Sequence, residues 1–155
     1  MGEQNPPPEE NNNPRISVLI PVYNGAETIG RCIFSILKQT YSDFKIIVLD
    51  DCSTDNTVKI VKDMMTGDKR IELLLNSKNT KRGACRNFLM QNCKTEFGVW
   101  CDADDYMHPE KLQTQIAYME ENPDCNFVMT NMYNTGNANA VDMARFTHAY
   151  APEEI

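Results

Sequence analysis

Histidine, tryptophan and basic residues are scarce in this chain, and each scarcity narrows what it can be. Two histidines, His108 and His148, and six cysteines without a C-x-x-C pair offer none of the paired-ligand spacings that mark zinc sites. The cysteines are Cys32, Cys52, Cys85, Cys93, Cys101 and Cys125. Several fall inside predicted helices or strands, where they read as buried small hydrophobes in a reducing, cytoplasmic compartment. Disulfides or a metal cluster are the competing assignments. Fifteen basic residues against 22 acidic ones give a formal charge of −7, so no general field gathers phosphate backbones. No local basic patch offsets this, and nucleic acid is not an expected partner. No run approaches the roughly 20 apolar residues that span a bilayer, so no transmembrane segment is expected. The N-terminus is polar and proline-bearing, unlike a signal peptide, and has Pro6 where a myristoylation signal wants Ser or Thr.

What is present is enough for one domain: 155 residues, 41% of them hydrophobic. Residues 1–14, with three consecutive prolines and three consecutive asparagines, read as a flexible tail. The domain is expected over 15–133, and 134–155 reads as the start of a further region or a tail. Ile16 to Ile20 is a β-rich apolar run closed by Pro21, a buried strand. From Ala26 to Lys38, Ile29, Cys32, Ile33, Ile36 and Leu37 recur at the one-face spacing of an amphipathic helix. Lys45 to Leu49 is a second strand, and Ser53 or Thr54 is placed to cap a second helix carrying Val58, Ile60, Val61 and Met64. Ile71–Leu75, Gly83–Asn92, Phe97–Cys101, Pro109–Glu121 and Phe127–Thr130 continue the alternation of strand and helix. Cys85, Phe88 and Leu89 lie along one face of the third helix, Leu112, Ile116 and Met119 face inward on the fourth, and Trp100 reads as core. Such alternation predicts an α/β fold with a mostly parallel sheet covered on both faces. The segment after Tyr133 shows no clear period.

In open α/β sheets ligands bind outside the carboxyl ends of the strands. The first strand runs into Pro21-Val22-Tyr23-Asn24, the second into Asp50-Asp51, and the fourth into Asp102-Ala103-Asp104-Asp105. Five carboxylates brought to one edge repel one another and call for a cation. Oxygen-only ligands suit a hard ion, Mg²⁺ or Mn²⁺, which binds through one or two carboxylates plus phosphates, so a metal diphosphate is the implied ligand. The competing reading takes Asp50 and Asp51 as helix N-terminal charges and Asp102 to Asp105 as a turn before Pro109. Lys81, Arg82, Arg86 and Asn87, at or before the start of the third helix, offer an anion-binding segment, with a solvated loop as the alternative. His108 stands close to the acidic cluster.

Four motifs, Ser17 to Asn24, Asp50 to Asp55, Ala84 to Asn87 and Asp102 to Asp105, resemble in order and spacing those of the inverting glycosyltransferases of family two. The resemblance runs from about Ile16 to Thr130. It implies the GT-A fold, a Rossmann-like three-layer sandwich, and a nucleotide-diphospho-sugar donor, most often a UDP-sugar. By position it implies that Pro21 and Tyr23 flank the base, that Asp51 accepts a hydrogen bond from uracil, and that Arg86 lies near the diphosphate. Asp104 and Asp105 would divide ribose or sugar contact and metal coordination; Asp102 also fits the family's D-x-D, so the metal-binding carboxylate stays open among the three. The metal would be Mn²⁺ or Mg²⁺, and the acceptor a glycan, lipid or protein hydroxyl attacking with inversion. The family's catalytic base lies beyond the region covered, in an acceptor-binding half this shorter chain is expected to lack. None of Asp142, Glu153 and Glu154 is assigned as that base. The alternative is a non-catalytic nucleotide-sugar-binding or assembly module of the same fold. A sugar nucleotidyltransferase would want a glycine-rich loop after the first strand, where only Gly25 stands. Oligomeric state is left open, a homo-oligomer included.

Overall fold

The computed structural model describes residues 13–130 and the backbone of 147–150. Most of the expected tail over 1–14, most of 134–155, and Asp142, Glu153 and Glu154 lie outside the described residues. The chain divides into two units, residues up to Ile33 with Asp43–Asp105, and Phe34–Ser42 with the residues from Tyr106 on.

The first unit is built on four strands, β1 (Ile16–Val22), β2 (Phe44–Asp50), β3 (Ile71–Leu75) and β4 (Phe97–Trp100). All pair in parallel, in the order β3-β2-β1-β4. β1 and β2 are buried almost throughout, which is why they read as continuous apolar runs rather than alternating ones. Chain order moves outward from β1 to β3, then returns to β4 on the other side of β1. Strand order therefore reverses between β1 and β4, where α/β sheets open a ligand crevice.

Pro21 marks that opening. The Leu19 carbonyl accepts the Cys101 N–H at 3.2 Å, so this edge of β1 faces β4. Two residues on, Pro21 returns to the same edge without an N–H to donate, and the β1–β4 register ends at Leu19 and Trp100.

Right-handed crossovers set α1 (Ile29–Leu37, of which residues to Ile33 belong to this unit) and α2 (Thr57–Gly67) on one face, and α3 (Lys81–Asn92) on the other. On the α3 face, Leu19, Ile47 and Leu49 form a buried cluster with Cys85 and Leu89, and Leu74, Cys93 and Trp100 pack against it. Trp100 is thus partly buried at the edge of the core. Phe88, expected on the same helix face, is exposed. On the opposite face a methyl group added at Gly30 of α1 would lie 3.6 Å from Ile60 of α2, ordinary contact.

Four helix starts differ from the sequence pattern; the fourth helix, expected from Pro109, begins at Lys111. α1 begins at Ile29 rather than Ala26, because Gly25 O accepts the N–H groups of both Thr28 and Ile29 in a preceding turn. α2 begins at Thr57 with Asn56 at the cap position, so neither Ser53 nor Thr54 caps it. Both are drawn to Asn24 instead: Asn24 N–H donates to Ser53 Oγ, and Thr54 N–H donates to Asn24 Oδ1, each at 2.8 Å. α3 starts at Lys81, two residues early, for a reason that belongs to the site.

The second unit holds α4 (Lys111–Glu121), β5 (Phe127–Thr130) and β6 (Thr147–Tyr150). β5 does not extend the parallel sheet; it pairs antiparallel with β6, a strand the sequence pattern does not reveal. Leu112 and Ile116 of α4 are buried, and Met119 is half-buried. Glu110 at the N-cap makes no side-chain cap, and buried Gln39 substitutes: its Oε1 accepts the Leu112 N–H at 2.9 Å while its Nε2 donates to the His108 carbonyl. Among the described residues no helix is long and apolar enough to cross a membrane.

Candidate donor-binding site

At the carboxyl ends of β1, β2 and β4 the first unit has a cavity of about 490 Å³, within the range that holds a small ligand. Its walls come from residues 21–25 and Thr28 after β1, Asp51 after β2, Asn79, Lys81, Arg82 and Cys85 before and along the start of α3, and Asp102 to Asp104 after β4. Of the residues singled out from sequence, Pro21, Tyr23, Asp51, Asp102 and Asp104 all line it, as do Lys81 and Arg82. Arg86 and Asp105 do not. His108 belongs to the second unit, where its Nδ1 accepts the Glu110 N–H.

Successive residues of an extended chain point to opposite faces, and this separates Asp50, the last residue of β2, from Asp51, the first beyond it. Asp50 is buried; one oxygen accepts the Ser53 N–H at 2.9 Å, and Oδ1 has no partner among the described residues. It is not part of the cavity wall. Asp51 turns toward α3 and is equally buried. Its carboxylate accepts the backbone N–H of Thr80 and of Lys81, each at 2.8 Å, the Thr80 hydroxyl at 2.9 Å, and Asn76 Nδ2 at 2.8 Å. Burial pushes the carboxyl upward, but the hydrogen bonds from Thr80, Asn76 and Lys81 outweigh it and hold the pKa at about 2.

Asp51 therefore caps α3 from another element. Thr80, at the N-cap position, makes no side-chain cap of its own, and two of the orphan N–H groups, those of Thr80 and Lys81, go to the Asp51 carboxylate just after β2. That is why α3 starts at Lys81. Lys81 takes a left-handed φ of 72°, as do Cys52 at 66° and Asn24 at 51°. Asn24 and Cys52 lie in the connections after β1 and β2 and Lys81 at the first position of α3, and the left-handed region is costly for residues other than glycine and asparagine.

Gly25 is fixed by close approach rather than by φ. A Cβ here would stand 2.6 Å from Val22 Cγ2, a contact real side chains do not make. Its N–H donates to Thr57 Oγ1 at 2.8 Å, tying the β1 exit to α2.

The turn after β4 is closed by Asp105 N–H on the Asp102 carbonyl at 3.0 Å, and Arg31 donates to the Asp104 carbonyl at 3.2 Å. Asp102 Oδ1 accepts Arg86 Nη2 at 2.6 Å, and the Arg86 guanidinium lies over Trp100, 5.3 Å from the ring centroid. Arg86 thus reaches the site through Asp102. Beneath this turn the Cys32 and Cys101 sulfurs stand 3.6 Å apart, and both approach the Asp102 carbonyl. The hydrogen bond to Cys101, with burial, pushes the Cys32 thiol far up and keeps it protonated.

No group of three or more His, Cys, Asp or Glu that could hold a metal occurs among the described residues. The wall still fits a hard cation of the Mg²⁺ or Mn²⁺ kind: Asp104 offers an exposed carboxylate, and Asp102 one oxygen that takes no hydrogen bond among the described residues. Such ions bind through one or two carboxylates when water and phosphate complete the shell.

Thr80 and Asn76 carry no signal in the sequence pattern, and Asn24 stands there only as the end of the first motif, without a partner. Asn24 and Asn76 each follow a strand, the position where a side chain can tie one connection to the next, but nothing in the sequence names the partner.

Comparison with known families matches residues 17–152 to Glycosyl transferase family 2. Among curated proteins, an uncharacterized glycosyltransferase of Haemophilus influenzae is 32% identical over 111 residues, 72% of this chain and 44% of its own length. The UDP-Glc:alpha-D-GlcNAc-diphosphoundecaprenol beta-1,3-glucosyltransferase WfgD of Escherichia coli is 36% identical over 107 residues, 69% of this chain and 42% of its own length. Among solved structures, S. aureus TarS 1–349, crystallised with UDP and with UDP-GlcNAc, superposes with a TM-score of 0.71 at 29% identity. It covers 79% of this chain, and 37% and 36% of TarS 1–349 in the two crystals. The mannosyltransferase PcManGT of Pyrobaculum calidifontis shares the fold, with a TM-score of 0.69 at 20% identity over 79% of this chain and 36% of its own. The chain spans less than half the length of each of these relatives.

Proposed function

Starting from the family to which the chain belongs, Glycosyl transferase family 2, we propose that its first unit binds a nucleotide-diphospho-sugar, with UDP as the nucleotide. The sugar leaves, with inversion, for a hydroxyl of a glycan, lipid or protein acceptor. The observation that carries this reading is the convergence of Tyr23, Asp51, Asp102 and Asp104 on one cavity at the strand-order reversal. TarS, 29% identical and crystallised with UDP and UDP-GlcNAc, supports the choice of nucleotide.

Tyr23 is half-exposed at the cavity, with a ring face available to stack on a base beside Pro21. Asp51, held ionised, would accept an N–H of that base by sharing the oxygens that now take the Thr80, Lys81 and Asn76 donors. Lys81 and Arg82, at the N-terminus of α3, face the cavity with positive charge suited to the diphosphate. Asp104 is the carboxylate that Mg²⁺ or Mn²⁺ would share with the phosphates, and the ion would offset the charge that develops on the departing diphosphate. No base is assigned among the described residues. Six cysteines in the thiol form fit a reducing, cytoplasmic setting, which belongs to the same proposal.

The test is a thermal-shift panel of UDP, GDP and CDP with Mn²⁺, Mg²⁺ or chelator. A ligand that binds only the folded chain raises the melting temperature, so UDP with Mn²⁺ should raise it most and UDP with chelator much less. No shift with any nucleoside diphosphate and metal overturns the reading. A UDP shift without sugar transfer to any acceptor favours the non-catalytic module instead.

A further inference from the structure

Arg86 stands apart from the other basic residues of this region. Lys81 and Arg82 line the cavity, whereas Arg86, one turn further along α3, does not. Its Nη2 donates to Asp102 Oδ1 at 2.6 Å, its guanidinium lies 5.3 Å from the centroid of Trp100, and its Nε is buried without a partner among the described residues. Trp100 ends β4, and Asp102 follows it by two residues. One planar cation therefore grips both the ring at the end of the strand and the first carboxylate of the turn beyond it. Oδ2 of Asp102 carries no hydrogen bond among the described residues, while Asp102 itself lines the cavity.

We propose that Arg86 is a positioning residue for Asp102: it holds the Asp102 carboxylate in one orientation at the cavity wall and acts on the donor through that carboxylate, not by touching the diphosphate. This rests on the donor-binding reading above. An arginine suits the task because its guanidinium is always charged, stacks on an aromatic face and donates along fixed directions; a lysine has neither plane nor fork. The neighbours on α3 reinforce it. Cys85 and Leu89 are buried against the sheet, which fixes the helix from which Arg86 reaches out.

A double-mutant cycle separates the two roles. UDP affinity with saturating Mn²⁺ is measured by calorimetry for Arg86→Gln, Arg86→Lys, Asp102→Asn and the Arg86→Gln/Asp102→Asn double variant, each checked for an unchanged melting temperature. If Arg86 works through Asp102, each single change weakens binding about 10- to 100-fold, as loss of an orienting partner does. The double variant is then no weaker than Asp102→Asn alone. Arg86→Lys should fail to restore wild-type affinity. Losses that multiply in the double variant mean an independent contact with the diphosphate and overturn the proposal, as does an Arg86→Gln change without effect. Wild-type protein that binds no UDP overturns the donor-site reading instead. A readout independent of ligand comes from Trp100, the only tryptophan in the chain. Asp102→Asn should release Arg86 from the ring and shift its emission as Arg86→Gln does. Unchanged emission in Asp102→Asn contradicts the clamp whatever the binding data say.

Discussion

Thr80 and Asp51, 29 residues apart, are joined by three hydrogen-bond contacts: the Thr80 N–H reaches both Asp51 oxygens, at 2.8 and 3.0 Å, and its hydroxyl reaches Oδ1 at 2.9 Å. A single buried carboxylate thereby closes the β2 end, caps α3 and forms part of the cavity wall.

Replacing Asp51 with Ala should therefore destabilise the fold as well as weaken donor binding. The part-buried amides of Thr80 and Lys81 would lose their acceptor, at about 1–3 kcal/mol by chemical denaturation. Thr80→Val, which removes only the hydroxyl, should cost about 1 kcal/mol. Equal losses for the two variants would contradict the capping role.

The same carboxylate makes a pH prediction. Its folded pKa of about 2 lies below the ordinary value of 3.8, so its stabilisation is fully present above about pH 4 and is lost as pH falls toward 2. The amount is on the order of 2 kcal/mol. Denaturation midpoints of wild type and Asp51→Asn between pH 2 and 6 should diverge most above pH 4 and converge as the solution is acidified. A constant gap across that range would show that the Asp51 charge contributes nothing.

At Gly25 even one methyl group should be felt. The added Cβ meets Val22 at 2.6 Å, so Gly25→Ala must displace the β1 exit, with an expected loss of about 1–3 kcal/mol and weaker UDP binding. Gly67→Ala, where nothing lies within 4 Å, is the matched control and should not weaken UDP binding. A Gly25→Ala variant as stable and as tight-binding as wild type would mean that the turn yields freely.

The sequence shows some of these features plainly and hides others, for physical reasons. β1 and β2 are legible because strands buried on both faces must be apolar throughout, and the carboxylates that follow stand out against them. Gly25 is legible as punctuation, though not its clash with Val22. Local pattern puts the cap of α2 at Ser53 or Thr54, which are good cap residues, yet Asn24, 29 and 30 residues away, takes their hydrogen bonds. The start of α3 is not legible because its cap comes from Asp51, just after β2, and local pattern carries no record of a partner so distant. The motif of Arg86 points to phosphate; that its partner is Asp102 follows only from the folded chain. β6 lacks a periodic signal of its own, so its pairing with β5 could not be anticipated.

Asp104 carries the metal claim. Asp104→Ala should leave the melting temperature of the ligand-free chain nearly unchanged, since its carboxylate is exposed. It should remove the part of UDP affinity that Mn²⁺ adds. Retention of the full Mn²⁺ effect would move the metal to Asp102 or Asp105.

The most direct test is calorimetric titration of UDP into the wild-type chain with Mn²⁺ and again with excess chelator. Saturable one-to-one binding that weakens markedly on metal removal, and that Asp51→Ala and Asp104→Ala each impair, is the predicted result. Absence of binding with Mn²⁺, or binding indifferent to both substitutions, would contradict a donor site at the carboxyl ends of β1, β2 and β4.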